Sequence, residues 1–173
     1  MEALWAELRE GRGVVVLLRH ARTVPGTGDP AGFQLDDCAT QRNLSEAGRE
    51  QARQIGVAFR AERVPVREVL SSQYCRCLDT AELLGLGPGT AAPMLNSFFG
   101  DRSTADAQTE ELRQTILAHR ERDGVMILVT HMVNIVAAAG VSPQQGEALV
   151  VRGTPQGSVA VLGRLLVDAG SQP

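Results

Sequence analysis

Two apolar runs constrain what this chain can fold into: residues 14–18, all valine or leucine, and residues 125–130, apolar up to Thr130. Both are far short of the roughly 20 apolar residues that a membrane helix needs. Unbroken runs rich in β-branched side chains read as strands covered on both faces, the pattern of a parallel sheet with helices above and below. Each run leads into a histidine, Arg19-His20 after the first and His131 after the second. Open parallel sheets bind ligands beyond the carboxyl ends of their strands, so the two imidazoles are expected to share one crevice.

The rest of the chain alternates in the same way. Residues 3–10 read as a short helix. Ser45 is placed to cap a helix over 46–62 that turns Ala52, Ile55, Phe59 and either Gly56 or Ala58 inward. A strand is predicted at 66–71, a helix at 76–84 and a further strand at 91–95. A second amphipathic helix is predicted at 104–122, with Leu112, Ile116 and Leu117 inside, and another helix at 132–139. Strands at 148–151 and 158–167, around a turn at 153–157, close the sheet with a hairpin. This order predicts a three-layer α/β/α sandwich around a mostly parallel central sheet. The 173 residues suit a single domain, 1–173, with no repeat and only 168–173 resembling a tail. The irregular stretch 19–43, rich in Gly, Pro, Asp and Thr, is long for a loop inside a domain, and such loops are usually functional.

Composition narrows the chemistry. All 17 basic residues are arginine, which excludes a Walker A loop, a Schiff-base lysine and a lysine general base. A net charge of −3 and 3% aromatic residues give nucleic acid neither a basic face nor a stacking platform, and no segment suits a membrane. His119, set among Arg120, Glu121, Arg122 and Asp123, reads as a solvated helix end. Cys38, Cys75 and Cys77 are too few for a disulfide framework and show no fourth ligand, so neither metal nor cofactor is expected. Glu2, Glu7, Arg9, Glu10 and Arg12 make the start unlike a secretory signal. The expected location is cytoplasmic, or periplasmic if a leader has been removed. Cys75 directly precedes Arg76 and Cys38 lies in the long loop, which leaves both a bridge and a reduced pair open.

The segment Arg19-His20-Ala21-Arg22-Thr23 resembles the Arg-His-Gly signature of the histidine phosphatase superfamily, the phosphoglycerate-mutase-like proteins, with Ala21 in place of glycine. Three further segments resemble that family in order and spacing: Asn43-Leu44-Ser45-Glu46-Ala47-Gly48 with Gln51-Ala52; Ser71-Ser72 with Arg76, Thr80 and Ala81; and Val129-Thr130-His131. The resemblance implies a phosphoglycerate-mutase-like fold and a phosphoric monoester hydrolase. His20 would attack phosphorus and become a phosphohistidine that water hydrolyses, the substrate being a phosphate monoester or a phosphoramidate. Arg19 and Arg76 would hold the phosphoryl oxygens with charge-assisted forks, and His131 would donate a hydrogen bond to them. Arg22 and Arg42, in or beside the long loop, are candidates for reading the substrate.

Many relatives carry an acidic proton donor where this chain has Asn96 or Met132, neither of which can act as a general acid. Asn96 is then left to substrate binding, and Asp101, or Asp36 or Asp37, is the candidate substitute. A site without a donor would favour good leaving groups such as aryl phosphates, anhydrides or phosphohistidine. The partner expected is a phosphorylated small molecule or a phosphohistidine protein. The alternatives are a phosphoglycerate-mutase-type phosphoryl transferase and a weakly catalytic regulator that binds phosphorylated ligands. The oligomeric state is not legible.

Overall fold

The computed structural model describes residues 1–167, so the tail expected at 168–173 lies outside the described residues. The chain begins with α1 (Glu2–Glu10), β1 (Val14–Arg19), α2 (Glu46–Ala61), β2 (Val66–Ser71), α3 (Cys75–Leu84) and β3 (Gly89–Ala91). It continues with α4 (Ala105–Ala118), β4 (Val125–Thr130), α5 (Met132–Ala139), β5 (Glu147–Gly153) and β6 (Val159–Leu166). The six strands form one sheet in the order β3-β2-β4-β1-β5-β6. β3, β2, β4 and β1 pair in parallel, and β5 runs antiparallel to both β1 and β6.

Side-chain alternation along the central strands divides the core in two. Val14, Val16 and Leu18 of β1, with Val125, Ile127 and Val129 of β4, meet Trp5 and Leu8 of α1, Ile55 and Phe59 of α2, and Leu84 of α3. Val15, Leu17, Met126 and Leu128 point the other way, onto Leu112 and Ile116 of α4 and Ile135 of α5. Because both faces are covered, the strand sequences show no polar alternation. That is the physical origin of the two apolar runs.

Three expectations are corrected. The strand expected at 91–95 ends at Ala91, and Pro93–Leu95 forms a 3-10 turn, since Pro93 has no N–H to extend a ladder. The helix expected over 104–122 stops at Ala118, and Leu117 is only half-buried. His119 is buried rather than solvated, with Nε2 at 2.7 Å from the Gly124 carbonyl, so it closes the turn into β4.

Helices α2 and α3 touch through Gly56, where an added Cβ would stand 1.9 Å from the Leu84 carbonyl oxygen. Replacing glycine by alanine in an open helix stabilises it by about 0.5–1 kcal/mol. Here the clash is with backbone and cannot be relieved by rotating a side chain. Gly56→Ala is therefore expected to destabilise the protein by about 1–3 kcal/mol, read as a lower urea midpoint with an unchanged m-value.

Candidate active site

Parallel strands that end in register place their exits side by side. Arg19 lies opposite Thr130, and the His20 amide continues the ladder by donating to the Thr130 carbonyl at 3.0 Å. His20 and His131 therefore leave the sheet together, with ring centroids 5.6 Å apart. Arg76 arrives from the first turn of α3, which Thr80 ties to the same exit. The Thr80 hydroxyl donates to the Arg76 carbonyl (2.7 Å) and accepts from the Ala21 amide (3.1 Å). Gln51 of α2 clasps the other side, accepting from the Arg22 amide at 3.0 Å and donating to the Gln145 carbonyl at 3.1 Å. The four sequence segments thus meet at one point.

The pocket they enclose has a volume of about 460 Å³, with Arg19, His20, Arg42, Arg76 and His131 on its walls. Phe33, Tyr74, Phe99 and Met132 supply its apolar side. His20 Nδ1 lies 2.9 Å from the Ala21 carbonyl, which fixes the ring proton on Nδ1 and leaves Nε2 as the lone-pair nitrogen. Burial pushes the His20 pKa down to about 3, and the charges of Arg76, Arg19 and Arg42 act in the same direction against the opposing Ala21 carbonyl. His20 is therefore neutral at any ordinary pH.

His131 is also held well below the usual histidine range, first by burial and then by Arg76. The Ser72 hydroxyl gives its proton to Asn96 Oδ1 (3.2 Å) and accepts from His131 Nε2 (2.8 Å). His131 Nδ1 is then the acceptor that faces Arg76 Nη2, at 3.4 Å. In this tautomer His131 presents a lone pair, and the donation to a phosphoryl oxygen expected from the sequence requires the protonated ring. Asn96 stands behind Ser72, its side chain also bonded to Gln73, and so orients His131 rather than touching the pocket.

Both inner arginines have unspent donors. Arg19 Nη1 donates to the Pro143 carbonyl (2.8 Å) and Arg76 Nη1 to Asp29, but the Nε of each is buried with no partner among the described residues. Arg42 lines the pocket, whereas Arg22 is exposed outside it. Asp101 reaches the rim, where it is exposed and accepts from the Ser103 amide at 3.0 Å. Asp36 and Asp37 lie exposed in the loop, away from the pocket walls. Sequence reasoning missed Asp29. Its carboxylate is buried against Arg76, with both oxygens on Nη1 at 2.9 and 3.0 Å and side chains only 6% and 4% exposed. Nothing in the local sequence separates Asp29 from the other acidic residues of the loop.

That loop is held against α3. Cys38 and Cys75 are bonded, with Cα atoms 5.7 Å apart, and Gln41 accepts from the Cys75 amide at 3.0 Å. Cys77 is the free cysteine, its buried thiol pushed up to about 12 by desolvation. Thiol titration of the unfolded, unreduced protein is expected to find one reactive thiol; three would remove the bridge.

Buried neutral histidines also make stability depend on pH. The folded pKa of His20 lies below the unfolded value of about 6.5, so between the two the unfolded state binds more protons. This contribution is fully present above pH 6.5 or so and is lost as pH falls toward 3. The urea midpoint is expected to fall from pH 7 to pH 4, and less steeply in His20→Asn. Equal slopes in the two proteins would contradict the assignment of a neutral His20.

Residues 15–98 match the family described as the histidine phosphatase superfamily (branch 1). No curated protein matches the chain in sequence. Among solved structures, the protein histidine phosphatase SixA complexed with tungstate superposes with a TM-score of 0.61 at 17% identity, covering 88% of this chain and 96% of that one. A phosphoserine phosphatase from Entamoeba histolytica gives 0.61 at 11% identity, over 87% and 95% of the two chains. A mycobacterial glucosyl-3-phosphoglycerate phosphatase gives 0.59 at 21% identity, over 86% and 96%. These likenesses establish a shared fold, the α/β architecture of the phosphoglycerate-mutase-like proteins. Over residues 15–98, a little under half of the chain, the sequence is similar to that superfamily, and the fold of the chain is the one those structures share.

Proposed function

We propose that the protein is a phosphohydrolase that transfers the phosphoryl group of its substrate to His20 Nε2 and then to water. The observation that carries this reading is the pairing of a neutral, lone-pair Nε2 with three guanidinium side chains, Arg19, Arg42 and Arg76, on the walls of one pocket. A phosphoryl group supplies the anion that this cluster lacks, and the developing charge on its oxygens is stabilised by groups already in place. The solved phosphatases of the same fold support the reaction class. The cavity accommodates a small phosphorylated molecule, or one phosphorylated side chain of a protein, with the leaving group against Phe33, Tyr74 and Phe99. The cytoplasmic location expected from the sequence requires Cys38 and Cys75 to stay reduced, so the bonded pair favours an oxidising compartment.

Incubation with a chromogenic aryl phosphate is expected to release phosphate continuously and to leave an acid-labile phosphoryl label on the protein. His20→Ala is expected to abolish both. Arg76→Lys is expected to lower kcat by about 10²–10³-fold despite keeping the charge, because an ammonium cannot reproduce the planar fork. Labelling without turnover would instead favour a phospho-ligand-binding regulator. Exchange of phosphate between glycerate positions would favour a mutase.

A further inference from the structure

We propose that Asp29 is the proton donor to the leaving group, the role for which the sequence showed no residue. The assignment rests on the phosphohydrolase reading and follows from position and elimination. Among the described residues, two carboxylates reach the pocket, Asp29 and Asp101. Asp101 is exposed at the rim, on a different segment from the pocket arginines. Asp29 is buried on the guanidinium that would hold the phosphoryl group, and its Oδ1 also accepts from the Arg42 amide at 3.1 Å. The Tyr74 hydroxyl is turned to the Ser97 carbonyl, and the remaining candidates have no proton to give. His20 carries its proton toward the Ala21 carbonyl, His131 turns a lone pair to Arg76, and Asn96 and Met132 have none to lose.

The proton balance closes without a further reactant. Phosphate monoesters have a second pKa of about 6, so part of the substrate arrives as the monoanion. Docking on Arg19 and the free edge of Arg76, it passes that proton to the Asp29 carboxylate. As the His20 Nε2–P bond forms and the P–O bond breaks, Asp29 gives the proton to the leaving oxygen. Asp29 then takes a proton from the water whose oxygen attacks phosphorus and breaks the N–P bond. The protonated Asp29 returns its proton to the departing phosphate.

The test is the first-step rate of Asp29→Asn, Asp29→Glu and Asp101→Asn on phosphate monoesters from alkyl to nitrophenyl, with inorganic phosphate inhibition measured alongside. General-acid catalysis contributes about 10²–10⁴-fold, most where the leaving oxygen is basic. In Asp29→Asn the alkyl rate is expected to fall by about that factor and the nitrophenyl rate by less than tenfold. Asp29→Glu should recover part of the alkyl rate, and Asp101→Asn should leave the alkyl-to-nitrophenyl ratio unchanged. The alkyl-to-nitrophenyl ratio is taken within one sample, so it does not depend on the folded fraction. An equal loss on every ester would overturn the assignment and make Asp29 a positioning residue for Arg76. Tighter phosphate inhibition with undiminished rates would overturn it in favour of a carboxylate that merely blocks the seat. An unaltered protein with neither label nor turnover would remove the phosphohydrolase reading, and this assignment with it.

Discussion

The in-register pairing of β1 with β4 is the contact on which the rest of the site depends. Arg19 faces Thr130, and the ladder runs one residue further through the His20 amide. A slip of one residue would turn His20 to the opposite face of the sheet and exchange the side chains that β1 sends into the two cores. The valines and leucines that fill the two cores therefore also fix the 5.6 Å between the imidazoles. Packing energy, spread over dozens of contacts, holds a geometry that a few polar contacts at the strand ends would not hold alone.

The electrostatics follow from that burial. Arg19, Arg42 and Arg76 crowd two histidines that desolvation keeps uncharged, and only Asp29 among the buried side chains on the pocket wall carries a negative charge. Excess positive charge in a partly buried pocket is unfavourable until an anion enters. The arginines repel one another, and the pKa values of Arg19 and Arg42 are lowered by burial and by neighbouring guanidinium groups. Under the proposed reaction, an arriving phosphate ester anion relieves this repulsion without any large rearrangement of the fold. The absence of lysine suits this arrangement, because a guanidinium stays charged where a buried ammonium would readily give up its proton.

How much of this was legible in the sequence depended on whether the signal was periodic or local. The strands and the placement of His20 and His131 were legible because full burial on both faces leaves an unmistakable apolar run. Ser45 was legible as a cap because it accepts from the Gly48 amide, which is the local chemistry of a helix start. Arg76 and Thr80 were visible only through family resemblance, and the structure supplies the reason for their spacing: one turn of helix lets Thr80 reach both the Arg76 carbonyl and the Ala21 amide. His119 was misread because its charged neighbours are exposed while its own ring turns inward to the Gly124 carbonyl. Asp29 was invisible. Its partner is 47 residues away, and no pattern of loop residues reports which carboxylate a fold will turn inward.

That long-range pair explains why the loop from 20 to 44 is as extensively tethered as it is. A buried guanidinium lacking a counter-charge costs several kcal/mol, and Asp29 offsets this only if the loop is held down. Arg42 does part of the holding: its Nε donates to the Gly28 carbonyl at 2.7 Å, its side chain reaches the Thr23 hydroxyl, and its amide grips Asp29 itself. The disulfide and Gln41 do the rest, both acting on Cys75, the residue before Arg76. Asp29, Gln41 and the disulfide thus act on two adjacent positions of α3, Cys75 and Arg76. A segment with almost no regular structure gains its order from the arginine it serves, and the arginine in turn owes its stable burial to the segment. Whatever loosens the loop must disturb the orientation of Arg76, because its ion pair with Asp29, the disulfide and Gln41 all join the loop to the start of α3.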